Sequence, residues 1–334
     1  MLKPKSIREG SKLGLIAPAR FAQPHLLDDM LNKCVGAVKS LGYRAVLGKH
    51  VREYLGYYAG SDENRAADVM AMYQDDDIDA IWCLNGGYGA ERLFPYLDFE
   101  IISRNPKLLI GHSNICHLHY MIHKLAYPWT INWLTAVNLS DLATWAGDQR
   151  ILQVFRKIAG GADAPWEYPL RGLLPPVTTL VPGRVRATLT GGFLLNQTTG
   201  TPWQIDTHNR IVVMELGREM GFWLDFVPHL HNAGMLQDAA GFIVSITEFP
   251  NLPERPAWAL LESEKRTTPN GHQTLRGLLE DYLLPLEKPT LLNVPFEHAK
   301  GAFPMPYGAL VEMDAGEKRI TVLENIFDDN ADRA

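Results

Sequence analysis

The chain has 334 residues, 46% of them hydrophobic and 21% charged, and this length favours two domains whose cores need neither disulfides nor metals. A formal net charge of -6 excludes the overall positive field that would attract nucleic acid or a membrane surface. No apolar run reaches signal-peptide or membrane-spanning length, and the three cysteines lack a CxxC spacing, so we expect a cytoplasmic protein with free thiols.

The first half of the chain alternates short apolar runs with amphipathic stretches, which predicts a βαβ layer structure. Strands are expected over 13–19, 43–48, 80–84 and 107–111, and helices over 25–41 and 61–74. The runs AIWCL and KLLIG are apolar throughout, as in strands buried on both faces of a parallel sheet. They end in the small-residue turns NGGYG and GHSN, and ligands bind at the carboxyl ends of such strands, so both turns should face one crevice.

A Gly- and Pro-rich stretch interrupts this pattern, and we interpret residues 161–184 as a linker. It would join an N-terminal domain over 1–160 to a C-terminal domain over 185–330. In the second domain we expect strands at 210–216, 242–247 and 290–295, helices around 221–238 and 271–283, and a final hairpin, ALVEMD–AGEK–RITVLE.

Ser113 lies where a buried strand passes into a helix that begins near Asn114. A strand-to-helix turn lifts a side chain out of the sheet and points helix N–H groups at it, which suits a serine nucleophile. The alternative is that Ser113 only caps the helix. Ile115 stands where the G-x-S-x-G motif requires its second glycine, so an ordinary α/β-hydrolase is rejected.

Two later residues could complete a triad with Ser113. Glu215 ends the apolar strand RIVVMEL and needs a partner, because an unpaired buried charge is costly. A salt bridge to Arg218 would also satisfy it. His298 lies in a proline-rich loop just after a strand, where an isolated histidine is more often a surface residue than a base.

These segments together resemble the LD-carboxypeptidases and the related microcin-immunity peptidases. That family carries G-S-x-x-x-R-x-x-D, then R-G-G-Y-G, then P-K-x-x-I-G-Y-S-D with the nucleophilic serine. The matching residues here are Gly60, Ser61, Arg65, Asp68, Gly86, Gly87, Tyr88, Gly89, Pro106, Lys107, Gly111 and Ser113. LTGGFL (189–194) and GTPW (200–203) resemble the family's L-x-G-G-N-L and G-T-P-W, and the likeness covers essentially the whole chain in order.

The resemblance implies a Ser113–His298–Glu215 triad, because the family's strand ending in Leu-Glu and its P-F-G-H match Glu215 and His298. It also implies an oxyanion hole formed by the backbone N–H groups of Gly87 and Asn114. The implied fold is α/β, with an N-terminal Rossmann-like parallel sheet domain and a smaller C-terminal mixed, β-rich α/β domain. Family members release a D-amino acid from murein peptides or cleave a peptidyl-nucleotide antibiotic, with no cofactor and no metal.

Several departures from the family motifs cluster around the pocket. Asn85, His112 and Asn114 replace Arg, Tyr and Asp, and NWLT (132–135) stands where the family often has His-Gly-Pro. Phe193 replaces an asparagine that contacts substrate in the relatives. With Tyr88 of the glycine-rich turn it is a candidate substrate contact.

Arg218 follows Glu215 by three residues, and we predict that it clamps the free carboxylate of the substrate. Pairing with Glu215 or Glu219 is the structural alternative. The expected partner is a small murein-like peptide, with no nucleic acid and no membrane, and a homodimer is left open.

Three other interpretations concern a metal site, a receptor and a different hydrolase. His119 and His123 have the i, i+4 spacing of metal ligands, but no Glu follows His119 in an H-E-x-x-H pattern, so we predict no metal site. A non-enzymatic two-lobed small-molecule receptor and an amidotransferase-like Ser/Cys hydrolase remain alternatives.

Overall fold

Two sheets organise the chain in this computed structural model, which describes residues 2–141, 149–216, 220–247 and 274–327, with the backbone alone at 220–222. The strands are β1 (Lys12–Ile16), β2 (Arg44–Leu47), β3 (Ala80–Cys83), β4 (Leu108–Gly111), β5 (Ile131–Asn132), β6 (Trp166–Glu167), β7 (Thr178–Val181), β8 (Arg184–Gly192), β9 (Ile211–Leu216), β10 (Gly241–Ile246), β11 (Thr290–Leu292), β12 (Met305–Pro306), β13 (Leu310–Asp314) and β14 (Arg319–Val322).

The α-helices pack against these sheets. They are α1 (Leu27–Ser40), α2 (Asp62–Gln74), α3 (Phe99–Arg104), α4 (Cys116–Leu125), α5 (Ala136–Leu139), α6 (Gln149–Ala159), α7 (Met220–Asn232), α8 (Met235–Asp238) and α9 (Leu275–Leu283). Short 3-10 helices occupy Pro24–Leu26, Ala90–Tyr96, Ser113–Ile115, Leu195–Thr198 and Leu284–Leu286.

The first sheet has six strands in the order β12-β5-β4-β3-β1-β2. From β5 to β2 all neighbours run parallel, and only the two-residue edge strand β12 is antiparallel. Every residue of β3 and β4 is buried, because helices cover both faces of the sheet. The predicted buried parallel strands are therefore confirmed, and β12 brings a piece of the late chain to the edge of this sheet.

The second sheet has eight strands among the described residues, in the order β6-β14-β13-β8-β9-β10-β11-β7. Its centre, β8 to β11, is parallel, and antiparallel strands flank it on both sides. This mixed sheet confirms the predicted α/β class. The segment 161–184 contains β6 and β7, so it contributes strands to this sheet, and the proposed domain boundaries stay a prediction.

Local chemistry explains where the helices begin and end. The hydroxyl of Ser61 accepts a hydrogen bond from the N–H of Asn64 (3.2 Å), the N-cap that starts α2 at the predicted position. The single helix expected over 221–238 is wrong, because Gly234 takes a left-handed conformation (φ 76°) and divides it into α7 and α8. No helix within the described ranges is long and apolar enough to cross a bilayer.

A buried arginine holds two loops of the first sheet together. Arg65, on α2, is 1% exposed, and its guanidinium donates to the carbonyl oxygens of Pro18 and Gly89 and pairs with Asp62. Pro18 follows β1, and Gly89 belongs to the glycine-rich turn after β3. The arginine therefore fixes that turn from inside the fold.

Replacement of Arg65 by Ala should destabilise the protein by about 3 kcal/mol, because it leaves the Pro18 and Gly89 carbonyls without the donor that Arg65 supplies and removes the buried one of the two arginines that pair with Asp62. The free energy of unfolding can be measured by urea denaturation. Arg52→Ala is the matched control, because Arg52 also pairs with an aspartate, Asp28, but both side chains are largely exposed. Equal losses in the two variants would contradict the assigned role of Arg65.

Candidate active site

Ser113 begins the 3-10 helix Ser113–Ile115 directly after β4. Its backbone is left-handed, with φ 64°, a conformation that costs a non-glycine residue energy and is held here by the surrounding structure. The preceding residue, His112, is extended. The chain therefore turns sharply at Ser113 and carries its side chain out of the sheet, as predicted from the strand-to-helix pattern.

The glycine-rich turn after β3 lies against Ser113. A Cβ atom built on Gly86 would lie 2.8 Å from Ser113 Cβ and 3.1 Å from its Oγ, so only glycine allows this approach. Gly87 has φ 104°, and its N–H donates to no other group of the described residues. The prediction that the turns after β3 and β4 meet is confirmed.

The side chain of Asn114 ties the start of its helix to this turn. Its Oδ1 accepts from the N–H of Ala90 (2.8 Å), and its Nδ2 donates to Glu91 (3.3 Å). Asn114 is buried, whereas Glu91 is partly exposed. The asparagine that replaces the family's aspartate thus has a positioning role through its side chain.

Glu215 and His298 are hydrogen bonded. His298 Nδ1 lies 2.8 Å from Glu215 Oε2 and 3.0 Å from Oε1, and the carboxylate also accepts from the Thr247 hydroxyl. Glu215 is buried at the end of β9, beside Ser245 on β10. The structure therefore brings together two of the three predicted triad residues, which lie 83 positions apart in the chain.

The loop that carries His298 is fixed at both ends. Ser245 Oγ donates to the carbonyl of Phe296 (2.8 Å) and accepts from its N–H (3.1 Å), and the N–H of Phe303 donates to Pro295 (2.8 Å). The imidazole packs on that of His112, with ring centroids 4.6 Å apart. His112 directly precedes Ser113, the predicted nucleophile. The His298 ring therefore contacts the residue next to Ser113 in the chain.

The charge environment of the two histidines differs. Burial and the nearby His298 lower the pKa of His112 to about 3, despite its hydrogen bond to Asn138. Burial also opposes the charged form of His298, but the charge and hydrogen bond of Glu215, with a smaller effect of Glu297, raise its pKa above 6.5. His112 is therefore neutral, and His298 is the imidazole that can take up a proton.

The three predicted substrate contacts differ in their placement. Phe193 lies against the His298 ring edge-on, with centroids 5.0 Å apart, so it forms a wall of the site. Tyr88, on the glycine-rich turn, is 64% exposed. Arg218 and its alternative partner Glu219 lie outside the described residues, so the carboxylate clamp stays a prediction.

Glu297 is a site residue that the sequence did not single out. Its carboxylate accepts hydrogen bonds from the N–H of Phe193 (3.2 Å), the amide of Asn132 and the thiol of Cys116 (3.5 Å). A Cβ on Gly192 would collide with Glu297 Oε1, so the absence of that side chain makes room for the carboxylate. The available signal was the glutamate in PFEH, where the family motif has glycine.

Burial and the nearby charge of Glu215 raise the pKa of Glu297 from 4.5 to about 7. No Lys or Arg of the described residues forms an ion pair with this carboxylate. The buried thiol of Cys116 donates to it. Glu297 therefore changes its charge near neutral pH.

The hydrogen bonds of His119 bear on the metal spacing of His119 and His123. His119 bonds through both ring nitrogens, to Thr130 Oγ1 and to the Gly111 carbonyl (2.8 Å each), which leaves none for a metal with His123. Within the described chain, one ligand atom each of His112, Glu297 and His298 lie within 4.8 Å of one another. Zinc accepts two imidazoles and a carboxylate, but such binding would occupy the His298 imidazole.

The family comparison covers most of the chain. Residues 13–131 match the LD-carboxypeptidase N-terminal domain, and residues 186–313 match the LD-carboxypeptidase C-terminal domain. Both sheets contribute to the matched segments, and Ser113 falls in the first segment while Glu215 and His298 fall in the second.

Two curated relatives illustrate the similarity. The chain is 31% identical over 328 residues to a probable murein peptide carboxypeptidase of Bacillus subtilis (strain 168), covering 96% of this chain and 94% of the relative. It is 36% identical over 118 residues to a murein tetrapeptide carboxypeptidase of Pseudomonas aeruginosa, covering 35% of this chain and 37% of that one.

Solved structures share the fold. The microcin C7 self-immunity protein MccF superposes with a TM-score of 0.78 and 18% identity, covering 98% of this chain and all of that one. A muramoyltetrapeptide carboxypeptidase from Oxalobacter formigenes superposes with a TM-score of 0.72 and 22% identity, covering 95% of this chain and 99% of that one. At these identities the likeness establishes the architecture alone.

The raised pKa of Glu297 makes stability depend on pH. Because the folded protein binds this proton more tightly than the unfolded chain does, the contribution is fully present below about pH 4.5 and is lost as the pH rises through about 7. Wild type should therefore lose stability between pH 5 and pH 8, whereas Glu297→Gln lacks this titration. The free energy of unfolding of Glu297→Gln, measured by urea denaturation, should rise by about 2 kcal/mol relative to that of wild type over this pH range. Glu100→Gln, an exposed carboxylate on α3, should run parallel to wild type. A pH-independent difference for Glu297→Gln would contradict the raised pKa.

Proposed function

The chain belongs to the LD-carboxypeptidase family and is a serine-type carboxypeptidase, and from that premise we propose that Ser113, His298 and Glu215 are its catalytic triad. The proposed reaction is hydrolysis of an L,D-peptide bond in murein-derived peptides, with release of the C-terminal D-amino acid. The substrate class rests on the names of the relatives, which are described as murein peptide carboxypeptidases.

One observation carries the proposal. Glu215 holds His298 Nδ1 at 2.8 Å while the same imidazole packs on His112, the residue that precedes Ser113. A carboxylate on one ring nitrogen selects the tautomer and orientation in which the other nitrogen accepts a proton from a nucleophile. The approach of Ser113 Oγ to His298 Nε2 is the part of this geometry that stays a prediction.

The proposed reaction proceeds through an acyl-enzyme. Ser113 Oγ attacks the carbonyl carbon of the scissile bond as its proton moves to His298, and Glu215 stabilises the imidazolium. The backbone N–H groups of Gly87 and Asn114 donate to the developing oxyanion. The imidazolium then protonates the leaving nitrogen, and the C–N bond breaks. Water repeats these steps on the ester and releases the shortened peptide.

The free Gly87 N–H supports the oxyanion assignment, because this amide needs an acceptor that the described protein does not supply. The closeness of Gly86 to Ser113 Oγ brings the glycine-rich turn into the reaction zone. Phe193 and Tyr88 are proposed to contact the peptide on either side. The reaction needs no cofactor.

Triad variants test the proposal directly. Ser113→Ala, His298→Ala and Glu215→Gln should lower kcat/KM on a murein tetrapeptide by about 10²–10⁶, with Ser113 and His298 costing most. The release of D-alanine can be followed by mass spectrometry, with a peptidyl sulfamoyl nucleotide as the second substrate. Tyr57→Phe, on an exposed loop, is the matched control. Ser113→Ala with wild-type activity would overturn the triad. If wild type cleaved only the peptidyl sulfamoyl nucleotide, its substrate would be of the microcin-immunity type instead of a murein peptide.

The carboxylate clamp predicted at Arg218 has its own test. Arg218→Lys keeps the charge but loses the planar fork, so kcat/KM on a free-acid peptide should fall by roughly one to two decades, and Arg218→Ala should lose at least as much. The C-terminal amide of the same peptide should be a poor substrate for all three proteins. Equal cleavage of acid and amide by wild type, with variants that differ only in melting temperature, would show that Arg218 has a structural role.

A further inference from the structure

The carboxylate of Glu297 is buried in the wall of the proposed active site with only uncharged hydrogen-bond donors. The exposed fraction of the residue is 1%. Its donors are the backbone N–H of Phe193, the amide of Asn132 and the thiol of Cys116. A carboxylate of this kind is costly to bury, so its persistence requires a compensating charge or a function.

Within the described part of the chain, the imidazole of His298 is a group close to Glu297 that can carry a positive charge. A carboxylate oxygen of Glu297 and a ring nitrogen of His298 lie within 4.8 Å of each other, and the two residues are adjacent in the chain. Glu297 has φ 59°, a left-handed backbone, and its side chain is buried. The titratable groups that face Glu297 from the packed elements are Glu215, His298, His112, Cys116, Tyr120 and Tyr307.

Of these six groups, Glu215 and His298 can carry a charge, and the other four stay neutral. Burial and Glu297 itself raise the pKa of Cys116, and burial with Cys116 raises the pKa values of Tyr120 and Tyr307. All three stay neutral. Burial lowers the pKa of His112, which stays neutral as well. The electrostatic balance of the pocket is therefore set by one imidazole and two carboxylates.

Glu297 and Asn132 form one unit. Both stand at positions where the sequence departs from the family motifs, in PFEH and in NWLT. Asn132 Nδ2 donates to Glu297 and also to the hydroxyl of Tyr307 (2.8 Å). The departure at Phe193 belongs to the same group, because its N–H donates to the same carboxylate (3.2 Å). The carboxylate thus accepts hydrogen bonds from Asn132 on β5 of the first sheet and from Phe193 directly after β8 of the second.

We propose that Glu297 is a positioning residue that acts through His298. Its negative charge stabilises the imidazolium that forms when Ser113 gives up its proton, and it thereby sets the pH range in which the enzyme is active. The inference rests on the proposed triad. In this role Glu297 acts on the charge of His298 and takes no proton from Ser113.

The protonation of Glu297 and the protonation of His298 depend on each other. Because the charge of Glu297 raises the pKa of His298 and the charge of His298 lowers the pKa of Glu297, the first proton is shared between them and the second binds only at lower pH. Only the form with neutral His298 can activate Ser113. The acid side of the wild-type profile should therefore be shallow, with two steps. A unit charge at about 5 Å in a partly buried site shifts a pKa by about one to two units.

The test compares pH profiles of kcat/KM from pH 5 to 9 on a murein tetrapeptide. Glu297→Gln removes the charge but keeps an oxygen for the Phe193 N–H and the Asn132 amide. We expect its acid limb to become a single step, displaced to lower pH by about one unit, and its rate above pH 8 to fall about three- to tenfold. Glu297→Asp, which keeps the charge, should retain a two-step limb.

Asp68→Asn is the matched control, because Asp68 is another buried carboxylate whose pKa is raised by burial, and it contacts the backbone of His50 instead of the triad. Its profile should coincide with that of wild type. Glu297→Gly restores the residue of the family motif and tolerates φ 59°, so it reports the same loss of charge if the glutamine variant fails to fold.

Two results would overturn the proposal. One is an acid limb that is unchanged in both Glu297→Gln and Glu297→Gly. The other is a value of kcat/KM lowered equally at every pH, which marks a merely structural role. Ser113→Ala separates this proposal from the proposed function. An active Ser113→Ala enzyme would refute the triad whatever the Glu297 profiles show, whereas an inactive one with unchanged Glu297 profiles would refute the role of Glu297 alone.

Discussion

The hydrogen bond between Glu215 and His298 is the interaction on which the site depends. A carboxylate at the end of a fully buried strand must find donors, and Glu215 finds them in His298 Nδ1 and the Thr247 hydroxyl. The loop that carries His298 is in turn bound to β10 through Ser245, beside Glu215 in the register. The second sheet thus orients the His298 imidazole through Glu215 on β9 and anchors its loop through the Ser245 hydroxyl on β10.

The first sheet supplies the complementary half through two adjacent parallel strands. Because β3 and β4 are neighbours, the turns that follow them meet, and Gly86 approaches Ser113 to a distance that no side chain would permit. Arg65 holds the glycine-rich turn from beneath through the Gly89 carbonyl. Left-handed backbone at Ser113 completes the arrangement, and the packing around the turn compensates for its conformational cost.

The junction of the two halves carries a second carboxylate, that of Glu297. Glu297 accepts hydrogen bonds from Asn132 on β5 of the first sheet and from Phe193 directly after β8 of the second. Departures from the family motifs at these three positions are therefore parts of one hydrogen-bonded group. Two carboxylates near one imidazole favour its protonated form. In the proposed reaction the imidazole must take up a proton from Ser113 and then give it to the leaving nitrogen.

The sequence by itself determined the α/β class, the buried strands, the start of α2 and the family, because these depend on local periodicity, capping and ordered motifs. It also identified Ser113, Glu215 and His298 as candidates, from their positions at strand ends. The role of Glu297 was beyond it, since the donors Asn132, Cys116 and Phe193 come from 104 to 181 positions away. Likewise, only the tertiary structure decided that His112 lies against His298. The physical reason is that the pKa of a buried group depends on burial and on charges brought near by folding, and local sequence specifies neither.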